Sequence, residues 1–83
     1  MTKKVTVYTK NNCGNCENVK RWLKWANVPY SEINVEENAE ALRHVKEDLG
    51  YQAMPVIEVE ENGFKYDFQG FNSEELAKLK LVK

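Results

Sequence analysis

Cys13 and Cys16 are the only thiols in the 83-residue chain and stand in a C-x-x-C spacing. A disulfide between them would close too small a loop to staple a fold, because such stabilisation grows with loop length. Their use is chemical, and disulfide exchange suits it first. If Cys13 ends a loop and opens a helix, unpaired N–H groups and the partial positive charge of the helix N-terminus favour thiolate over thiol. The thiolate is the attacking species. Lys10, three residues ahead, would add positive charge. Cys16, one turn into the helix, would be the more buried, resolving thiol.

Two other chemistries use the same residues. C-x-x-C is a common half-set of zinc ligands, but a closed site takes four and the chain offers only His44 besides. A zinc or iron–sulfur site would therefore have to be shared across a dimer. A lone nucleophilic cysteine with a histidine base is the third. Against it, His44 falls about 120° from the apolar centre of its own predicted helix, so we expect it on the surface. Inert structural thiols have no reason to sit at a helix start.

The elements that must position the pair follow from periodicity. Lys4 to Tyr8 alternates with β-branched residues and reads as strand one. Cys13 to Asn27 carries Val19, Trp22, Leu23 and Ala26 in an i, i+3, i+4, i+7 stripe, so it reads as an amphipathic helix. Lys20, Arg21 and Lys24 fall on its opposite face, and Val28-Pro29 should stop it. Trp22 lies on the stripe as core, and Trp25 flanks it as a partly exposed candidate contact. Tyr30 to Val35 is strand two. Asn38 should cap a second helix through Leu49, with Ala41, Leu42, Val45 and Leu49 inward and Gly50 as its stop. Pro55 to Glu60 and Phe64 to Phe68 are strands joined by a tight turn at Glu61-Asn62-Gly63. Asn72 or Ser73 should cap a last helix carrying Leu76, Leu79 and Leu81. The order β-α-β-α-β-β-α predicts an α/β fold. Its four-stranded mixed sheet is flanked by helices, with one parallel pair and one antiparallel hairpin.

Composition sets the frame. The chain is 42% hydrophobic and 30% charged, with a net charge of −1, which removes any general case for nucleic-acid binding. That balance hides a split: residues 1–30 carry six bases and one acid, or +5, and residues 31–83 carry six bases and twelve acids, or −6. Both cysteines lie in the basic part. There is neither the apolar run of a signal peptide nor the ~20 apolar residues of a membrane span. We therefore expect one domain over residues 1–83, monomeric and cytoplasmic.

The run Val7-Tyr8-Thr9-Lys10-Asn11-Asn12-Cys13-x-x-Cys16, the segment Gly50-Tyr51-Gln52-Ala53-Met54-Pro55-Val56, and Gly70-Phe71 before a short helix resemble the glutaredoxin-like proteins. Within them the similarity is to the NrdH-type redoxins, small electron donors of ribonucleotide reductase. The resemblance spans nearly the whole chain. It implies a thioredoxin fold, catalysis by Cys13 and Cys16 through a reversible disulfide, and Pro55 as a cis-proline facing them. The backbone of Met54 would then pair with an extended substrate, as a strand edge does. We further expect Lys10, Gly14, Asn15, Met54, Pro55, Gly70 and Phe71 to bind substrate, with no bound cofactor or metal. Glutathione-using glutaredoxins carry Gly-Gly and an acid where this chain has Gly70, Phe71 and Asn72. Electrons are therefore expected from NADPH through a thioredoxin-reductase-like flavoenzyme, with glutathione as the alternative.

Overall fold

The computed structural model describes residues 3–61 and 63–79. In chain order the elements are β1 (Lys3–Thr9), α1 (Gly14–Trp25), β2 (Ser31–Asn34), a 3-10 turn (Val35–Glu37) and α2 (Ala39–Arg43). The second helix continues as a π-helical turn (His44–Asp48), followed by β3 (Val56–Glu61), β4 (Phe64–Gln69) and α3 (Ser73–Leu79). The strands lie in the order β2-β1-β3-β4. β1 pairs parallel to β2, and β3 pairs antiparallel to both β1 and β4. This is the thioredoxin fold the sequence led us to expect.

Strand alternation gives each face of the sheet its own core. Val5, Val7, Ile57, Val59 and Phe68 pack with Val19 and Leu23 of α1 and with Leu76 and Leu79 of α3. On the opposite face Tyr8 and Val56 pack with Ala41 and Val45 from the α2 segment, with Met54, and with Cys16 reaching over from α1. The second face is only part-covered. Beyond Tyr8 it becomes polar, and Lys4, Thr6, Glu58, Glu60 and Lys65 line an open cleft of about 410 Å³.

Several expected boundaries move for physical reasons. The first helix stops near Asn27 as expected, but the stop is made by Asn27 itself rather than by Val28-Pro29. Asn27 takes a left-handed conformation, φ 59°, while the Val28 N–H donates to the Leu23 carbonyl at 2.9 Å and its own N–H to Lys24 at 3.1 Å. That is the six-to-one and five-to-two pairing that satisfies the last carbonyls of a helix. Thr9, expected in the loop, belongs to β1 and is buried. The second helix does not run uniformly to Leu49. It widens at His44, where the Leu49 N–H reaches back five residues to the His44 carbonyl at 3.0 Å. Gly50 then supplies the expected stop at φ 83°. Pro55 precedes β3 rather than beginning it, and Trp22 is half-buried at the edge of its core. The expected turn residue Asn62 and the expected core residue Leu81 lie outside the described residues.

Candidate functional site

Cys13 caps α1. Its backbone is extended, φ −117° and ψ 104°, and its Sγ accepts the Cys16 N–H at 3.1 Å. This is the job a capping hydroxyl or amide usually does, and it places the sulfur on the unpaired N–H groups of the first turn. Asn12, at φ 55°, turns the chain into this position; asparagine tolerates that left-handed conformation better than most residues. The two sulfurs are joined as a disulfide, with the Cα atoms 5.2 Å apart. Cys16 is 1% exposed among Tyr8, Val45, Met54 and Val56, and Cys13 sits half-exposed at the rim of that cluster. One sulfur is open to a partner and the other is shielded.

The loop before β3 forms the opposite wall. The Met54–Pro55 peptide is cis, and the Met54 carbonyl oxygen lies 3.8 Å from Cys13 Sγ. Gly70, at φ 79°, donates its N–H to the Pro55 carbonyl at 2.8 Å, and Gln69 Nε2 donates to the Ala53 carbonyl at 3.2 Å. These bonds bring the β4–α3 loop, with Phe71 43% exposed, beside the proline loop. Of the residues singled out from sequence, Met54 is thus placed against Cys13, and Gly70 is hydrogen-bonded to the next residue, Pro55. Gly14 and Asn15 are exposed on the first turn of α1. Lys10 is exposed in the preceding turn and makes no ion pair among the described residues.

Two polar clusters under the site were not read from the sequence. On the α1 face, Lys20 bridges Glu32 at 3.0 Å and Glu17 at 3.2 Å, and buried Thr9 donates its hydroxyl to Glu32 at 3.0 Å. The hydrogen bond to Lys20 holds the Glu32 carboxyl below its usual range against opposing burial, and Lys20 is raised in return, chiefly by Glu32. The basic stripe of α1 is therefore not one uniform solvated face.

On the α2 face, His44 is a correction. It is half-buried, not a free surface residue, with Nδ1 2.9 Å from Asp48 and Nε2 3.3 Å from Glu58. Its ring tilts against Tyr8 with centroids 5.9 Å apart, and the Tyr8 hydroxyl donates to Glu58 at 3.0 Å. Burial first, then that hydrogen bond, pushes Tyr8 up to about 12, so the hydroxyl keeps its proton. Likewise Tyr51 donates to Asp67 at 2.6 Å and is pushed up to about 12, chiefly by that bond. Because both imidazole nitrogens face carboxylates, His44 is not placed as a base for Cys13. Nor do the described residues contain a group of three or more His, Cys, Asp or Glu arranged to hold a metal. No helix among them is long and apolar enough to cross a membrane.

Comparison with known proteins follows the same lines. A family model described as glutaredoxin matches residues 5–64. The chain is 44% identical over 75 residues to the glutaredoxin-like protein NrdH of Lactococcus lactis, covering 90% of this chain and 97% of that one. Among solved structures it resembles the NrdH-redoxin of Escherichia coli, with a TM-score of 0.79, 25% identity, and 96% and 99% of the two chains covered. A crystal structure of a thioredoxin-like protein matches with a TM-score of 0.75 and 33% identity over 90% of this chain and 97% of that one.

Proposed function

Since the chain belongs to the glutaredoxin family and is a thiol–disulfide oxidoreductase, we propose that Cys13 is its nucleophile, Cys16 its resolving thiol, and a protein disulfide its substrate. The observation that carries this reading is the sulfur cap: Cys13 Sγ sits on the Cys16 N–H at a helix start, half-exposed, while Cys16 is buried behind it. In the reduced protein the Cys13 thiolate attacks one sulfur of the partner disulfide. A Cys13–partner bond forms, the partner's sulfur–sulfur bond breaks, and the departing thiolate takes a proton from water. Cys16, deprotonated as it attacks, then displaces the partner from Cys13. The partner leaves with two thiols: the second departing thiolate takes up the proton given up by Cys16, and the two electrons have come from the Cys13 and Cys16 thiols, which are left joined as a disulfide. The Met54 carbonyl lies 3.8 Å from Cys13 Sγ, and on this reading an extended segment of the substrate pairs with the backbone of Met54 beside the cis-Pro55.

For the return of electrons we favour NADPH through a thioredoxin-reductase-like flavoenzyme. A glutathione-type site wants an acid at the start of the last helix, but here Asn72 stands there. Its Oδ1 already accepts the Glu74 and Glu75 N–H groups, each at 3.1 Å. The Escherichia coli relative is described as having a thioredoxin-like activity profile. Ribonucleotide reductase is the candidate acceptor that the family resemblance suggests, in the cytoplasm. A reduction assay comparing NADPH plus thioredoxin reductase with glutathione plus its reductase decides between the donors. Turnover with glutathione alone would overturn this assignment, and a Cys16→Ser variant that fails to trap a partner on Cys13 would overturn the roles of the thiols.

A further inference from the structure

The surface beyond the dithiol carries one feature that disulfide exchange itself does not require. Asn18, Arg21, Trp22 and Trp25 follow i, i+3, i+4, i+7 spacing, and with Phe71 they line an open groove of about 460 Å³. Trp25 is 67% exposed, and its ring lies 6.1 Å from that of Trp22. At that exposure Trp25 does not fill the core that Val19 and Leu23 of the same helix enter, while Trp22 sits half-buried at its edge. Gly14 lies on the same strip of α1, toward the dithiol, and the far end of the groove at Trp25 is about 18 Å from Cys13 at 1.5 Å per residue. Phe71 closes its other wall from the loop whose Gly70 is hydrogen-bonded to Pro55. The groove thus shares a wall with the loop that is hydrogen-bonded to the proline side of the site.

Its charge identifies the occupant. Lys20, on the opposite flank of α1, is already matched by Glu17 and Glu32, whereas Arg21, exposed among the aromatics, is in no ion pair among the described residues. An arginine fork set beside tryptophan faces suits a carboxylate flanked by apolar side chains. We propose that this strip of α1, with Phe71, is the docking surface for the disulfide-bearing partner, and that it selects a segment combining acidic and large apolar side chains, about 18 Å from the reacting sulfur. The inference rests on the reading of Cys13 as nucleophile and extends it from reaction to partner choice.

The test uses three probes, each a cysteine capped as a mixed disulfide with thionitrobenzoate, whose release is coloured. One is the capped cysteine alone. The others are peptides in which about six flexible residues, reaching ~20 Å, lead to Leu-Glu-Phe-Glu or to Leu-Lys-Phe-Lys. The expected result is a kcat/KM for the acidic peptide roughly tenfold above the basic one, the factor that about 1.4 kcal/mol of binding gives. Arg21→Glu should invert that preference, and Trp25→Ser should raise KM for the acidic peptide several-fold, while both variants reduce the capped cysteine as the parent does. Equal rates for the two peptides, or losses in the variants that extend to the capped cysteine, overturn the docking surface. No release from any probe overturns the redox reading instead, and the docking surface with it.

Discussion

α1 and α2 are built alike on opposite faces of one sheet, and the contrast between them isolates what makes a site. Each opens on a side chain that accepts an N–H of its own first turn: Cys13 Sγ from Cys16 at 3.1 Å, and Asn38 Oδ1 from Ala41 at 3.0 Å. Each is tied back to the sheet by an ionic contact, Lys20 to Glu32 in one case and His44 to Glu58 in the other. The frames differ little, but the caps differ in chemistry. An amide cap has no charge to gain, so at Asn38 the field of the helix end contributes only stability. A thiol in the same position ionises, and the same field then sets its reactivity. Structure supplies the helix end twice; on our proposal the residue placed on it decides whether it is a cap or a nucleophile.

Exchanging the cap breaks the comparison most strongly. Cys13→Ser keeps a capping atom, so it should fold with near-unchanged melting while disulfide reduction falls to the uncatalysed background; residual turnover in an insulin-reduction assay would deny Cys13 its role. Cys16→Ser should retain a single attack and stop there, seen by mass spectrometry as a partner held on Cys13.

Next in size is the ionisation itself. Thiolate absorbance of the reduced protein should show Cys13 titrating below the ~8.5 of a free cysteine, the first unit of lowering giving roughly eightfold more thiolate near neutral pH. An unshifted titration would mean that the sulfur cap is no different in kind from the amide cap. At the other helix, Asn38→Ala should cost about 1 kcal/mol. For a domain of this size that lowers the melting temperature by roughly 4 to 8 °C, while the thiol titration and turnover stay in place. A shifted Cys13 titration in that variant would show that the two helix ends are coupled.

The smallest effect concerns the tie at the far end of the second helix. The hydrogen bond to Asp48 raises His44 above its ordinary value; burial opposes this and Glu58 adds to the rise. A histidine raised on folding contributes stability that is fully present below its unfolded pKa of ~6.5 and is lost as pH climbs through the higher folded value. The wild-type advantage over His44→Gln in denaturant melts should therefore shrink from pH 5.5 to pH 9. It should be small, because the imidazole is 34% exposed and water screens the pair. A gap that widens with pH would contradict the assigned tie.

Much of this was legible in the chain because it is local. The caps at Cys13, Asn38 and Asn72 are each read from one residue and the helix that follows it, and Gly50 marks a helix stop by the same logic. The end of α1 near Asn27 was read correctly but credited to the proline two residues later, the louder signal, when the left-handed conformation of Asn27 makes the stop. His44 was misplaced for a different reason. Its angle on an ideal helix pointed away from the core, but the helix widens at that residue, and both Glu58 and Tyr8 come from strands distant in sequence.

The amino-acid sequence alone determined the reactive pair, its place at a helix start, the order of the elements and the alternation that gives the sheet two cores. All of these depend on neighbours within a turn or a strand. Tertiary structure decided what lies around that pair: Met54 against Cys13, Gly70 hydrogen-bonded to Pro55, Glu32 drawn to Lys20, and Phe71 set beside Trp22 and Trp25. Those contacts join segments dozens of residues apart in most cases, and only the packing of the two helices on opposite faces of the sheet fixes which of them meet.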